Sequence, residues 1–200
     1  MLRVGKRAVV VIAFAVAAAM IGGGVVTAQR GGNPSPDIER LQAAIGTAPM
    51  VRVADIPGDD HALQHGVFVQ ELQTGDLCVW DAPSASSRQR QGGCNSIDDP
   101  LGGSVVSANL AYDGGPEIEK VRDARLSGIA DSDVARIVVV MSDGTERAVR
   151  LSEAHLRSGD YVAFGYRVKR SDLHDGIGPV AVVALDASGN EIARQTTGIG

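Results

Sequence analysis

The sequence predicts a mostly β fold, an antiparallel sandwich or an open, barrel-like domain, with a short helix before it. Runs of β-branched and aromatic residues recur along residues 48–200, and clusters of Gly, Asp, Asn and Ser separate them. Short strands at turn-punctuated spacing are typical of such folds. We therefore divide the chain into an N-terminal segment at 1–28, a spacer with a helix at 29–47, and one β domain at 48–200.

The N-terminal segment has the pattern of an export signal or of a membrane anchor. Residues 1–7 carry three basic side chains, and residues 8–28 are uncharged and mainly apolar. Val26 and Ala28 suit a signal-peptidase site that would leave Gln29 first. The same run is also long enough for a membrane-spanning helix, which needs about 20 apolar residues. Either interpretation places the rest of the chain outside the cytoplasmic membrane, secreted or anchored.

A short helix is predicted inside the 29–47 segment. Ser35 suits the N-cap, Pro36 the first helical position and Asp37 the first turn. Gly46 is expected to end the helix. An apolar face for docking is formed by Ile38, Leu41 and Ile45.

The clearest hairpin lies in residues 135–151. Asp143 and Gly144 separate two β-branched runs, and Asp-Gly is a strong signal for a two-residue type I′ turn. Such a turn sets Val138 opposite Val149 in the two strands.

The other predicted strands show either strict alternation or short apolar runs between turn residues. Residues 116–126 fit a helix or a strand, and their pattern favours a strand. The remaining predicted strands lie within 50–54, 67–72, 77–80, 103–112, 162–168, 180–185 and 191–193.

Cys78 and Cys94 are the two cysteines of the chain. An even count in an exported protein predicts a disulfide, here closing a polar loop. Such a bridge stabilises the fold by about 3 kcal/mol. The alternative is a pair of redox-active or metal-binding thiols, which the spacing does not favour because no Cys-x-x-Cys occurs. Trp80 is expected to pack against this region.

Several short motifs follow one another along the domain. They are GDLCVW at 75–80, GGC at 92–94, LSGIADSDVARI at 126–137, SDGT at 142–145 and VALDASGN at 183–190. In this order the chain resembles a loose set of uncharacterised exported or membrane-anchored proteins of high-GC Gram-positive bacteria. The resemblance implies an extracytoplasmic β domain and carries no catalytic residues.

The charge balance excludes some classes of partner. The chain carries a net charge of −5, and residues 1–28 hold three basic and no acidic side chains, so the remainder carries −8. Nucleic-acid binding rests on Lys and Arg that neutralise phosphates, which disfavours nucleic acid as a partner. No cofactor is predicted, and membrane contact is expected only through an uncleaved N-terminal segment.

The metal-ligand candidates are weak patterns. His61 and His65 have the i, i+4 spacing of a helical metal pair, but Ala62 stands where a zinc peptidase needs Glu. Asp186 and Asn190, with Ser188 between them, place oxygens at the alternate positions that hard cations prefer. Tight turns demand the same residue types, and histidines are common in polar loops.

The sequence therefore favours a non-catalytic binding or interaction module of the cell envelope, with an envelope protein as its partner. A cation-binding domain that uses these candidates is the first alternative. An unrecognised secreted hydrolase is the second, although no Gly-x-Ser-x-Gly motif is present. No catalytic residue is assigned.

Overall fold

A computed structural model describes residues 36–58, 64–115 and 117–198. The predicted export signal or anchor at 1–28 lies outside this part of the chain, as does the predicted N-cap Ser35. Within the described residues, no helix combines the length and the apolar character that crossing a membrane requires.

The described residues form two helices, a 3-10 turn at Ile118–Lys120 and twelve strands in three antiparallel sheets, none closed into a barrel. The predicted mostly β, sandwich-like fold is confirmed. Sheet A has the order β1 (Val51–Ile56), β2 (His65–Glu71), β3 (Asp76–Ala82), β4 (Gln91–Ser96). Sheet B has the order β5 (Val106–Gly114), β6 (Val121–Asp131), β10 (Gly159–Arg167), β9 (Leu151–Leu156). Sheet C has the order β12 (Glu191–Thr196), β11 (Pro179–Leu185), β7 (Arg136–Met141), β8 (Glu146–Val149). The helices are α1 (Pro36–Thr47) and α2 (Arg170–His174).

Sheet B is the central layer, because its two faces contribute to two different cores. Leu126 of β6 and Phe164 of β10 pack with residues of sheet C. Ile129 and Ala163, from the same two strands, pack with residues of sheet A. Alternation along a strand points successive side chains to opposite faces, so β6 and β10 are buried on both. The layers run A, B, C.

The predicted N-terminal helix is confirmed as α1, which continues one residue beyond its predicted end at Gly46. Its residues from Arg40 onward belong to the same compact unit as the sheets and pack on the outer face of sheet A. Leu41 and Ile45 contact a core that contains Phe68, Trp80 and Cys78. This burial stabilises a helix too short to persist alone.

Gln70 fastens the end of α1 to sheet A. Its Nε2 donates to the carbonyls of Ile45, at 3.2 Å, and Ala48, at 2.6 Å. Its Oε1 accepts a 2.8 Å hydrogen bond from the indole N–H of Trp80. Carbonyls at a helix end have no partner within the helix, so the buried Gln70 amide supplies hydrogen bonds that these two carbonyls would otherwise lack.

The 135–151 hairpin is confirmed, but its predicted register is wrong by one residue. Val138 lies opposite Ala148, not Val149. Gly144 has φ of +81°, while no described non-glycine residue, Asp143 included, has a positive φ. Because a type I′ turn needs a positive φ at both central residues, the loop is instead a three-residue turn with a bulge at its glycine. The extra loop residue shifts the pairing.

Residues 116–126 begin with the 3-10 turn at Ile118–Lys120 and continue into β6. The strand interpretation is confirmed from Val121 onward, and β6 extends to Asp131, beyond the predicted end. Position 116 lies outside the described residues. Three further elements were not predicted: β4, in the segment interpreted as a loop, β9, which shares only Leu151 with the predicted hairpin, and the short helix α2.

The predicted disulfide is confirmed. Cys78 of β3 lies opposite Cys94 of β4, with 3.9 Å between their Cα atoms. The bridge therefore crosses a strand pair within sheet A and joins the outer strand to its neighbour.

Candidate interaction site at the β4 edge

Of the two histidine candidates for a metal pair, His65 lies within the described residues, on a strand and not on a helix. His61 falls in 59–63, outside the described residues. His65 begins β2, and its Nδ1 lies 2.5 Å from Oδ1 of Asp81 on β3. Arg125 of β6 donates from Nε to the other oxygen, Oδ2, at 2.6 Å. Asp81 and Arg125 are 2% and 3% exposed, so both carboxylate oxygens are engaged inside the protein.

The same network continues across sheet B. Arg125 also donates from Nη1 to Asp123 and, at 3.4 Å, to Asp113. Arg167 of β10 lies 3.3 Å from Asp123. Buried charges are tolerated when they are paired in this way. The cluster joins sheets A and B, and within it His65 serves to bind Asp81. Nothing in the sequence linked these residues, because they stand on five separate strands that are spread along the chain.

Asp186 and Asn190 form the turn between β11 and β12. Asp186 Oδ1 accepts the backbone N–H groups of Ser188 and Asn190, each at 2.8 Å, and Oδ2 accepts from Asn190 Nδ2 at 3.0 Å. These hydrogen bonds, the Asn190 side chain first, hold the pKa of Asp186 below its ordinary value. Turn formation therefore accounts for both residues. Among the described residues, no group of three or more His, Cys, Asp or Glu side chains could hold a metal ion.

The other described histidines lie on the surface or at a helix end. His155 Nδ1 contacts Asp160 at 2.8 Å, and its Nε2 lies 3.5 Å from Glu153. The hydrogen bond with Asp160 is the main cause that raises the pKa of His155. His174 ends α2.

Two shallow depressions mark the described surface. One, of about 390 Å³, lies between the loop that follows β4 and strand β12, and Ser104, Ser107 and Gln195 help to line it. The other, of about 270 Å³, is lined by Tyr166 with basic residues around it, among them Lys169. Neither lining includes a histidine or a carboxylate.

The backbone of β4 presents a free row of hydrogen-bonding groups. The Leu72 N–H donates to the Asp76 carbonyl at 2.8 Å. Because backbone groups alternate in direction along a strand, the even-numbered residues of β3 direct their N–H and C=O groups toward β2. The backbone groups of the odd-numbered residues of β3 therefore bond to β4, at Gln91, Gly93 and Asn95. By the same alternation, Gly92 and Cys94 direct their N–H and C=O groups away from β3. β4 is the outer strand of sheet A, so these groups point into an open edge.

Half of the residues of β4 are exposed, and the other half are partly buried. Gly92, Gly93 and Ser96 are exposed, and no described residue bonds to the outward backbone groups of Gly92 or Cys94. Ser96 keeps its outward N–H but its C=O accepts from Asp99 N–H at 3.0 Å. We call this row, from Gly92 to the N–H of Ser96, the β4 edge.

The β4 edge lacks the devices that commonly protect an outer strand. Gln91–Ser96 contains no charged residue and no proline, whereas edge strands are usually blunted by Lys, Pro or inward-pointing charges. Charges stand only at its ends. Arg88 and Arg90 precede the strand, and two acidic residues, Asp98 and Asp99, follow it.

The two glycines of β4 differ in what they permit. Gly92 has φ of +156°, and a Cβ there would lie 1.9 Å from the carbonyl oxygen of Val79. A Cβ at Gly93 would meet only Asn109 Oδ1, at an ordinary 3.7 Å. Packing therefore requires glycine at position 92, while position 93 has room for a side chain.

Several contacts hold the β4 edge in place. The disulfide links its centre to β3. At its start, the Arg90 guanidinium stacks over the Trp80 ring, with 5.1 Å between the guanidinium carbon and the ring centroid. Arg90 Nη1 also lies 3.4 Å from the sulfur of Met50. The edge is thus a supported strand and not a loose loop.

Sequence reasoning missed this site because Gln-Gly-Gly reads as loop. One signal is present in the sequence: a disulfide can bridge two adjacent strands, and Cys78 lies in a predicted strand. No protein-family model matches the chain, and neither a curated protein nor a solved structure matches it.

Proposed function

We propose that the protein is a non-catalytic binding module of the cell envelope, outside the cytoplasmic membrane, and that it binds an extended protein segment at the β4 edge. The observation that carries this proposal is a row of outward backbone groups, bonded to no described residue, on an outer strand that has neither charge nor proline. An extended segment that adds to such an edge gains backbone hydrogen bonds along its length.

The proposed location rests on two features. The Cys78–Cys94 disulfide is of a kind that forms and persists in oxidising compartments outside the cytoplasm. The basic and then apolar residues 1–28 fit export or anchoring in the membrane.

The flanking charges describe the partner segment. An antiparallel strand on β4 would run past Asp98 at its own start and past Arg88 at its own end. A segment with basic residues before its extended part and acidic residues after it is therefore the best electrostatic match.

The test is crosslinking in intact cells, followed by capture of the tagged full-length protein from the envelope fraction. Two variants block the edge by different means. Gly93→Lys adds a charged side chain where there is room for one. Ser96→Pro removes an outward N–H and leaves the ladder to β3 intact. Gly198→Lys is the matched control, because a Cβ there meets nothing within 4 Å.

The proposal predicts one reproducible crosslinked species that both blocking variants lose and Gly198→Lys retains. Near-equal melting temperatures of the four proteins would establish that all are folded. A crosslinked species that persists in both blocking variants would show that the partner binds elsewhere, and no species in an exported, folded sample would remove the support for a binding module.

A further inference from the structure

We infer that the strand which fits the β4 edge is β4 of a second copy of this chain. Two chains would then join their sheets A into one continuous antiparallel sheet of eight strands about a two-fold axis. This inference rests on the proposed function, since it names the partner of the same edge.

The geometry of β4 allows such pairing. A two-fold axis perpendicular to the sheet leaves the outer face of each sheet A on the same side. An even-numbered residue of one β4 therefore pairs with an even-numbered residue of the other, and an odd-numbered residue with an odd-numbered one. In the register centred on Gly93, the Gly92 backbone of one chain exchanges hydrogen bonds with the Cys94 backbone of the other. These are the outward groups that β3 leaves free.

The centre of the interface would lack obstructing side chains. Gly93 of one chain would lie opposite Gly93 of the other at a position without direct hydrogen bonds, where opposed Cα atoms approach to about 4.5 Å. Two exposed glycines can approach to this distance because neither carries a side chain that would clash.

Charge complementarity supports the second copy as the occupant. Arg88 and Arg90 precede β4, and Asp98 and Asp99 follow it in the turn after Ser96; Arg88 and Asp98 are exposed. In the same register the basic end of each β4 lies beside the acidic end of the other. Because the basic residues precede the strand and the acidic residues follow it, antiparallel pairing brings opposite charges together at both ends, while parallel pairing would oppose like charges.

The test measures the mass of the exported protein, with the N-terminus that the cell leaves on it, by sedimentation velocity across a concentration series. Arg88→Glu and Asp98→Arg each bring like charges together at both ends of the paired strands in the symmetric dimer. Each is expected to weaken dimerisation by about tenfold. The double variant Arg88→Glu/Asp98→Arg restores both attractions and is expected to recover it. Gly198→Lys is expected to match the parent.

Hydrogen exchange locates the contact independently. The amides of Gly92, Cys94 and Ser96 are expected to become protected as the dimer forms. Dimerisation without this protection, or no recovery in the double variant, would overturn the β4 pairing.

The outcomes also separate this inference from the proposed function. A protein that stays monomeric at every concentration, and still shows an envelope crosslink that Gly93→Lys abolishes, would overturn self-pairing and keep the binding edge. A dimer that Gly93→Lys leaves intact would overturn the edge as the site of self-association.

Discussion

The side-chain amide of Gln195 pairs with the backbone of Ala108 as a neighbouring strand would. Its Oε1 accepts the Ala108 N–H and its Nε2 donates to the Ala108 C=O, each at 2.8 Å. Gln195 lies on β12, the outer strand of sheet C, and Ala108 on β5, the outer strand of sheet B. One amide therefore joins the edges of two layers.

Replacing Gln195 with Ala is expected to lower the free energy of unfolding by about 1–3 kcal/mol, because the truncation leaves two backbone groups of a buried residue unpaired. Urea denaturation measures the change. Thr196→Ala, at the exposed neighbouring position, is the control and is expected to stay within about 0.5 kcal/mol of the parent. Equal stability of Gln195→Ala and the parent would mean that water replaces both hydrogen bonds.

The buried Arg125 is expected to be costly to remove. Arg125→Met leaves Asp81 buried with one charged partner fewer, and a broken buried pair typically costs about 3–5 kcal/mol. Chemical denaturation at neutral pH measures this loss.

A double-mutant cycle separates the pair from its surroundings. Asp81→Asn combined with Arg125→Met is expected to lose less stability than the sum of the two single variants, because each single change strands the other charge. Strict additivity would show that the two side chains are not coupled.

Glu71 is expected to make stability depend on acid pH. Burial of its carboxylate raises the pKa, but hydrogen bonds from Arg157 and Ser158 outweigh burial, so the pKa lies below its ordinary value of 4.5. A lowered native pKa gives stability that is present above pH 4.5 and is lost as the pH falls through the native value. Glu71→Gln should therefore be less stable than the parent at neutral pH, and the difference should shrink in acid.

Thermal unfolding between pH 2.5 and 7 tests this dependence. Glu146→Gln, the same change at an exposed position, is the control and is expected to follow the parent curve. A constant difference between Glu71→Gln and the parent across this range would contradict the role assigned to Glu71.

The disulfide is expected to contribute about 3 kcal/mol, since it closes a short loop between residues 16 apart in sequence. Under non-reducing conditions Cys94→Ser should melt well below the parent. Adding reductant should lower the melting temperature of the parent toward that of the variant. If the variant and the parent have the same melting temperature, the disulfide does not contribute to stability.

Local pattern was sufficient where neighbouring residues decide the structure. Glycine at position 75 and Asp186 with its turn marked hairpins that the structure contains, because turn chemistry acts over a few residues. Pattern failed at Gly144 by one residue, because Asp-Gly occurs in both two-residue and three-residue turns, and the negative φ of Asp143 that rules out a type I′ turn cannot be read from the sequence.

The candidate site could not be predicted for a different reason. β4 is a strand because β3 pairs with it and Cys78 holds it there, not because Gln-Gly-Gly prefers an extended chain. Likewise, Asp81 and Arg125 stand 44 residues apart, and neither position carries a local mark of burial.

By itself, the sequence determined that the chain forms strands, where most of the turns between them lie, that α1 precedes them, and that the two cysteines pair. Alternation, turn residues and a cysteine count act within a short stretch of chain or between two residues. Only the tertiary structure decided that sheet B lies between two others, that His65 joins a buried charge network, and that β4 has an edge to which no described strand pairs. Those outcomes depend on which faces meet after distant strands have packed, and packing energy comes from contacts between residues that no local pattern connects.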